Sequence, residues 1–240
     1  MRINLHISSY DPKSAGVRGL YFLMESIAAL GVRTTINAAT DDDCVDIIPD
    51  QQGENSFDAK RIVRFFGYYP AEWYGKAKLP ASEMVLVYSA EFIGEVQALC
   101  PYPLSAPFAF PLIEPGLFFP EEKTIPALVY TPGYKSRECQ WRPAGMPAIS
   151  RHSHSREDAV AMLRRTKDFY STDDFTAMLI EALMCGCNVF IVRDVNQFEP
   201  YHNPDAHKLL MTPENGRAAA LDLLTRCQDF FGVDFQIQDK

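Results

Sequence analysis

Residues 170–189 read YSTDDFTAMLIEALMCGCNV. The order is a strand end, a tight loop, a helix, a glycine stop and a second strand. Two carboxylates, Asp173 and Asp174, open a helix expected over 174–184, and a third, Glu181, lies within it. Phe175, Met178, Leu179, Ala182 and Leu183 fall on one face, with Ala177, Ile180 and Met184 largely opposite. A helix apolar on two sides is sandwiched between layers. At 3.6 residues per turn, Asp174 and Glu181 lie about 20° apart in azimuth and about 10 Å apart along the axis. Both can then face one elongated ligand. Asp173, if helical, stands about 80° from Glu181.

The first-turn amides of such a helix, around Thr176 and Ala177, point outward with a partial positive charge and form an anion site. A diphosphate fits there while Glu181 accepts hydrogen bonds from a ribose diol. The residues alone leave a plainer reading open. Asp173 and Asp174 can simply cap the helix, and Glu181 can be an internally satisfied polar group.

Outward from this segment the chain alternates strand and helix. Residues 3–7 form an apolar strand, followed by a polar loop over 8–15 and Gly16. Val17, Leu20, Tyr21, Met24, Ile27 and Ala28 recur at helical spacing, and Gly31 stops that helix. Strands follow at 34–37, 45–48 and 84–88. Ser56 is read as the cap of a helix with Ala59, Ile62, Val63 and Phe66 on its buried face. Seven prolines between 101 and 126 suit an extended connector, and a domain boundary is expected near 118–124. Strands at 127–131, 148–150, 168–171 and 188–192 continue the series. Ser155 with Asp158 resembles a capping box, and a last helix covers about 216–231. The alternation predicts α/β architecture with parallel sheets. It places the 8–16 loop at the carboxyl edge, where open α/β sheets bind ligands.

The chain has 240 residues, 47% of them hydrophobic, with a net charge of −8. This is enough for one large or two compact domains with a real core. The acidic balance argues against general nucleic-acid binding, which rests on clustered Lys and Arg. No signal-peptide pattern opens the chain and no apolar run is long enough to span a membrane. The location read from this is cytoplasmic, peripheral attachment at the inner membrane included. The six cysteines are scattered, as in a reduced protein. His152 and His154 with Cys185 and Cys187 invite a zinc reading, but alternating pairs lack structural-zinc spacing. No metal or other cofactor is expected.

Asp173 and Glu181, separated by seven residues, resemble the E-x7-E motif of retaining GT-B glycosyltransferases, with Asp in the first place. Tyr170, Ser171, Thr176, Ala177, Ala182, Cys185, Gly186, Cys187 and Val189 extend the likeness to bacterial envelope and capsule polysaccharide glycosyltransferases; Asn188 replaces their usual Pro. A weaker match in the first half is carried by Asn55, Ala59, Lys60, Val63, Arg64 and Pro70. Gly16-Val17-Arg18 resembles the glycine loop of many GT-B enzymes. The resemblance spans about residues 16–192. Residues 136–147 stand where longer members carry a further helix and strand.

The resemblance implies two Rossmann-like domains facing a cleft: 1–120 for the acceptor and 121–240 for the nucleotide-sugar donor. Glu181 would bind ribose, and Thr176 and Ala177 would present amides to the diphosphate. Lys135, beside Gly133, and Arg151 would neutralise phosphate charge. Asp173 or Asp174 would contact the sugar as the catalytic candidates. Gly16 would allow close backbone approach, and Arg18 would bind donor phosphate or acceptor. A solvated surface role fits Lys135 equally well, and Arg151 is the weaker phosphate candidate because exposed arginines are common. His6 reads as a core residue; no general base stands out, and an inverting transfer would need one from the first half, with Asp11 the candidate.

The expected activity is sugar transfer from a nucleotide-diphosphate sugar to a saccharide or glycolipid in envelope polysaccharide synthesis, with a homodimer allowed. Two other readings stay open. One is a GT-B enzyme that glycosylates nucleic acid or a small metabolite. The other is a non-catalytic nucleotide-sugar-binding protein. The aromatic cluster Phe65, Phe66, Tyr68, Tyr69, Trp73 and Tyr74 fits a core, an oligomer contact or a sugar-stacking surface.

Overall fold

The computed structural model describes residues 1–49, 58–67, 78–131, 141–150 and 153–238. Among them are two mostly parallel five-stranded sheets and five helices, an α/β architecture compatible with Rossmann-like folding. No helix among the described residues is long and apolar enough to cross a membrane.

Two compact units emerge. The first is Met1–Asp11, Gly16–Pro111 and Met211–Lys240; the second is Pro12–Ala15 and Leu112–Leu210. The first unit therefore contains the C-terminal helix, which the sequence reading had grouped with residues 121–240.

In the first unit, β1 (Arg2–Leu5), β2 (Arg33–Ile36), β3 (Cys44–Pro49), β4 (Ile62–Phe66) and β5 (Glu83–Val87) pair in the order β2-β1-β3-β4-β5, all parallel. β4 corrects the expectation of a helix there. Ile62, Val63 and Phe66 fit a helical spacing, but the whole run Ile62–Phe66 is buried. A short continuous run of β-branched and aromatic residues is what a doubly covered parallel strand needs. Ser56, its supposed cap, lies outside the described residues.

Strand β1 is apolar on one face only. Ile3 and Leu5 are fully buried in the core, while Arg2, Asn4 and His6 alternate with them. The polar row has a cause in the connection from β2 to β3. Residues 37–43 cross without a helix, so their peptide groups need partners. Asn4 Nδ2 donates to Ala38 O (3.0 Å), and Asn4 Oδ1 accepts from Ala38 N (3.2 Å) and Thr35 Oγ1 (2.9 Å). Arg2 Nη2 donates to Ala39 O (2.5 Å) and pairs with Asp41 (3.0 Å). Asn37, at φ 52°, accepts from Ile7 N and donates to Ile7 O through its side-chain amide. That clamp fixes the chain as it leaves β1. Asn4 Nδ2 also donates to Asp46 Oδ1 (2.8 Å), which commits both of its hydrogens. His6 Nε2 lies 2.7 Å from the same Asp46 oxygen and 2.9 Å from Asn4 Nδ2.

Helix α1 (Ala15–Ala29) buries Leu20, Leu23, Met24 and Ile27. Behind β5, a 3-10 turn (Ala90–Phe92) leads into α2 (Ile93–Gln97). The last helix of the chain, Pro213–Phe231, is capped by Thr212 with Pro213 in its first turn, and ends at Gly232 in the left-handed region. It meets α1 so closely that a Cβ on Gly216 would stand 2.9 Å from the Phe22 ring.

The second unit holds β6 (Ile125–Tyr130), β7 (Ala148–Ile149), β8 (Thr166–Ser171), β9 (Asn188–Asp194) and β10 (Gln197–Pro200), in the order β10-β9-β8-β6-β7. All pairs are parallel except the β9–β10 hairpin. Helix α3 (Arg156–Arg165) precedes β8, and α4 (Ala177–Met184) joins β8 to β9. Both crossovers advance in one direction, so right-handed connections put both helices on one face. Leu128, Phe169, Val189 and Ile191 form the buried row between strands and helices. The opposite face carries Tyr170, Phe190 and Phe198, with Trp141 packed on Tyr170 and Phe198 at 5.2 Å between ring centroids. The C-terminal helix of the first unit is α5 (Pro213–Phe231) in chain order.

Candidate functional site

The segment from β8 through α4 builds the candidate site. Strand β8 ends at Ser171. Ser171 Oγ donates to Asp173 O (2.7 Å) and accepts from Asp173 N (3.1 Å), which turns the chain immediately. Asp173 is buried at 5% exposure, and its Oδ1 accepts from Phe175 N at 2.9 Å. Asp174 faces outward and pairs with Arg193 of β9, which also binds Glu199 of β10. That arrangement ties the loop to the hairpin and holds the Arg193 guanidinium above its ordinary pKa, chiefly through its hydrogen bond to Asp174.

Two sequence expectations are corrected here. The helix begins at Ala177, and the cap is Thr176, whose hydroxyl accepts from Met178 N (3.3 Å). Asp173 and Asp174 therefore lie in the loop before the helix, and the shared azimuth computed for Asp174 and Glu181 does not apply. The reason is competition for the cap. Asp173 satisfies a loop amide, leaving Thr176 as the residue in extended backbone whose oxygen meets the helix start.

Glu181 lies inside α4 and is buried at 2% exposure. Its Oε1 accepts from Arg156 Nη2 at 3.1 Å, and the same Nη2 donates to Glu114 Oε2 at 2.5 Å. Arg156 is the first residue of α3, whose cap Ser155 accepts from Asp158 N at 3.0 Å. Burial lowers the Arg156 pKa, but Glu181 and Glu114 more than offset this and hold it above the ordinary value. The guanidinium carbon also stands 5.3 Å from the centre of the Phe118 ring.

No protein-family model matches this chain. No curated protein matches it either.

The helix closes with Gly186 at φ +72° and returns directly into β9. Lys123 Nζ donates to Cys185 O (2.5 Å) and Arg164 O (3.0 Å), which satisfies carbonyls at the ends of α4 and α3 together. Cys185 and Cys187 are buried, and desolvation pushes their thiols up to about 12 and about 11. Cys187 Sγ donates to Leu163 O and Thr166 O. Such thiols pack as small apolar groups rather than react.

Among the predicted site residues, Asp173, Asp174, Thr176, Ala177 and Glu181 all belong to this one loop and helix. Gly133, Lys135 and Arg151 lie outside the described residues, as do Asn55, Tyr68, Tyr69, Pro70, Trp73, Tyr74, Cys139 and His152. Gly16 and Arg18 sit in the first unit, in the opening turns of α1. A Cβ on Gly16 would meet nothing within 4 Å, while Arg18 is buried at 2% exposure. A concavity of about 310 Å³ lined by Phe22, Ala29, Leu30 and Pro213 among others contains none of the predicted residues.

Arg156 and Glu114 were missed in the sequence. Arg156 carried one weak signal, its place directly after the Ser155 cap. Glu114, 42 positions away in the proline-rich stretch, carried none.

Proposed function

We propose that this chain is a GT-B glycosyltransferase that moves a sugar from a nucleotide-diphosphate donor to a saccharide or glycolipid acceptor, with the donor held by the second unit. The observation that carries this reading is the order of parts around α4. A parallel strand runs into an acidic loop, a Thr176-capped helix start follows, and one turn later comes the Glu181 carboxylate. First-turn amides suit a diphosphate, and a carboxylate suits a diol. Chemical transfer would rest on positioning and on electrostatic stabilisation of the departing diphosphate. The α4 amides, Lys135 and Arg151 would supply the positive potential, and Asp173 or Asp174 would meet the sugar. The parallel β2-β1-β3-β4-β5 sheet of the first unit, with its clamped loop after β1, is the surface proposed for the acceptor.

The test is thermal melting with UDP, GDP, ADP, TDP and CMP in turn. A ligand that binds only the folded chain at one hundred times its Kd adds about 2.7 kcal/mol of stability, enough to raise the Tm by several degrees. One nucleotide is expected to do so, and Glu181→Ala is expected to remove most of that rise. If no nucleotide moves the Tm, the donor-site reading fails. Hydrolysis of the matching sugar nucleotide then separates an enzyme from a protein that only binds it.

A further inference from the structure

We infer that Asp174 and Arg193 together read the hydroxyls of the donor sugar, so that Asp174 rather than Asp173 is the carboxylate the sugar meets. The inference rests on the donor-site reading above and extends it from the nucleotide to the class of sugar, a neutral hexose.

Access separates the two aspartates. Asp173 is buried at 5% exposure, and its Oδ1 accepts from Phe175 N. The Asp174 side chain is 37% exposed and that of Arg193 is 42% exposed. Asp174 Oδ2 accepts from Arg193 Nη1, and Arg193 Nε donates to Glu199 Oε2 at 3.0 Å. That leaves Asp174 Oδ1 and both hydrogens of Arg193 Nη2 without a partner among the described residues. An incoming group meets them from solvent.

Strand geometry sets the pair beside the start of α4. Strand β9 runs parallel to β8, and Ser171, the last residue of β8, pairs with Ile191. Arg193 lies two residues further on, about 7 Å past the end of β8. It has the parity of Val189 and Ile191, so its side chain stands on the helix-bearing face of the sheet. Asp174 precedes Ala177, the first residue of α4, by three positions, at most about 11 Å of chain. A sugar joined to a diphosphate on the α4 amides is thereby brought to the pair.

Charge and hydrogen-bonding pattern name the sugar. Asp174 and Glu199 are the charges that act on Arg193, and the three groups sum to −1. A uronic acid adds a like charge and meets repulsion, whereas a neutral hexose does not. Neighbouring hydroxyls can accept from Arg193 Nη2 and donate to Asp174 Oδ1, so a donor beside an acceptor matches a sugar diol. Glu199 holds the guanidinium at Nε, which orients its free end before the sugar arrives.

The experiment compares UDP, ADP and GDP with their glucose and glucuronate forms by titration calorimetry. For the nucleotide that binds, Arg193→Ala and Asp174→Asn are each expected to weaken the glucose form by about tenfold, the worth of one charge-assisted hydrogen bond, while the bare diphosphate keeps its affinity. A pair that only ties the loop to the hairpin would weaken both forms equally, because the same loop leads into the α4 amides. Equal losses, or no loss in either form, overturn the inference and leave the donor site standing. So does a loss confined to the glucose form in Asp173→Asn with none in Asp174→Asn. Exposed ion pairs add little to stability, so both variants are expected to fold. If one does not, the wild-type protein decides: glucuronate binding about tenfold weaker than glucose supports the pair, and equal binding overturns it. If none of the three diphosphates binds, the donor-site reading falls and takes this inference with it.

Discussion

Arg64 and Glu83 pair diagonally across neighbouring strands of the first sheet, joined by Nε–Oε2 at 3.1 Å and Nη2–Oε1 at 3.3 Å. Their side chains are 0% and 6% exposed. A buried pair of this kind gains little net stability, because desolvating two charges offsets their attraction. Removing one partner is another matter, since it strands the other charge in the core. Arg64→Met is therefore expected to cost about 3–5 kcal/mol, and the double change Arg64→Met with Glu83→Leu is expected to recover most of it. Urea unfolding of the two variants measures the difference. Equal losses in both would mean that the pair contributes through something other than mutual neutralisation. Arg64 was one of the residues carrying the family likeness in the first half. Its ion pair with Glu83 gives an arginine at that position a structural reason.

At the scale of elements, α4 is short, eight residues, so its ends matter more than its middle. Thr176→Ala removes the acceptor for Met178 N and is expected to cost about 1 kcal/mol. Gly186→Ala forces a side chain into the left-handed region and brings its Cβ within 3.2 Å of Pro120. The expected loss there exceeds the roughly 1 kcal/mol typical of an unfavourable αL residue. Chemical denaturation of both variants ranks them; a smaller loss for Gly186→Ala than for Thr176→Ala would contradict the geometry. These two ends also mark what could be read from the chain. Gly186 was legible as a helix stop because only glycine relieves the αL strain. The start was not, since Asp173, Asp174 and Thr176 are all competent caps and only the three-dimensional turn at Ser171 assigns them. Likewise β1, β3, β6, β8 and β9 were legible from the alternation of short strands with helical segments, and α3 from its Ser155 cap. Strand β4 was misread because Ile62, Val63 and Phe66 fit a helix period as well as a buried strand. The polar row Arg2, Asn4 and His6 had no readable cause at all. Its partners are the backbone of residues 37–43, which a sequence pattern does not reveal.

For the whole molecule, the chain crosses from the first unit to the second and then returns, so the first unit is assembled from both ends of the sequence. Helix α5 supplies Gly216, Ala219, Ala220, Leu223, Leu224 and Cys227 to its interior. The tail adds Phe235, 4% exposed, and a backbone bond from Gln238 N to Leu30 O at 2.8 Å. Arg226 fastens α5 further by donating to Ser105 Oγ and Ala106 O, both at 2.8 Å. Burying Leu223 and Leu224 alone stabilises by about 3–6 kcal/mol. The total therefore approaches the roughly 5–15 kcal/mol by which a typical domain is stable. A chain ending at residue 211 is accordingly expected to lose the first unit and keep the second, whose sheet and helices enclose a core of their own. Hydrogen exchange reads this directly: amides of β1 and β3 should exchange fast in the shortened chain, while those of β6 and β8 stay protected. Protection of β1 and β3 at full-length levels would show that α5 covers a unit already stable without it, and that residues 211–240 are dispensable to the fold.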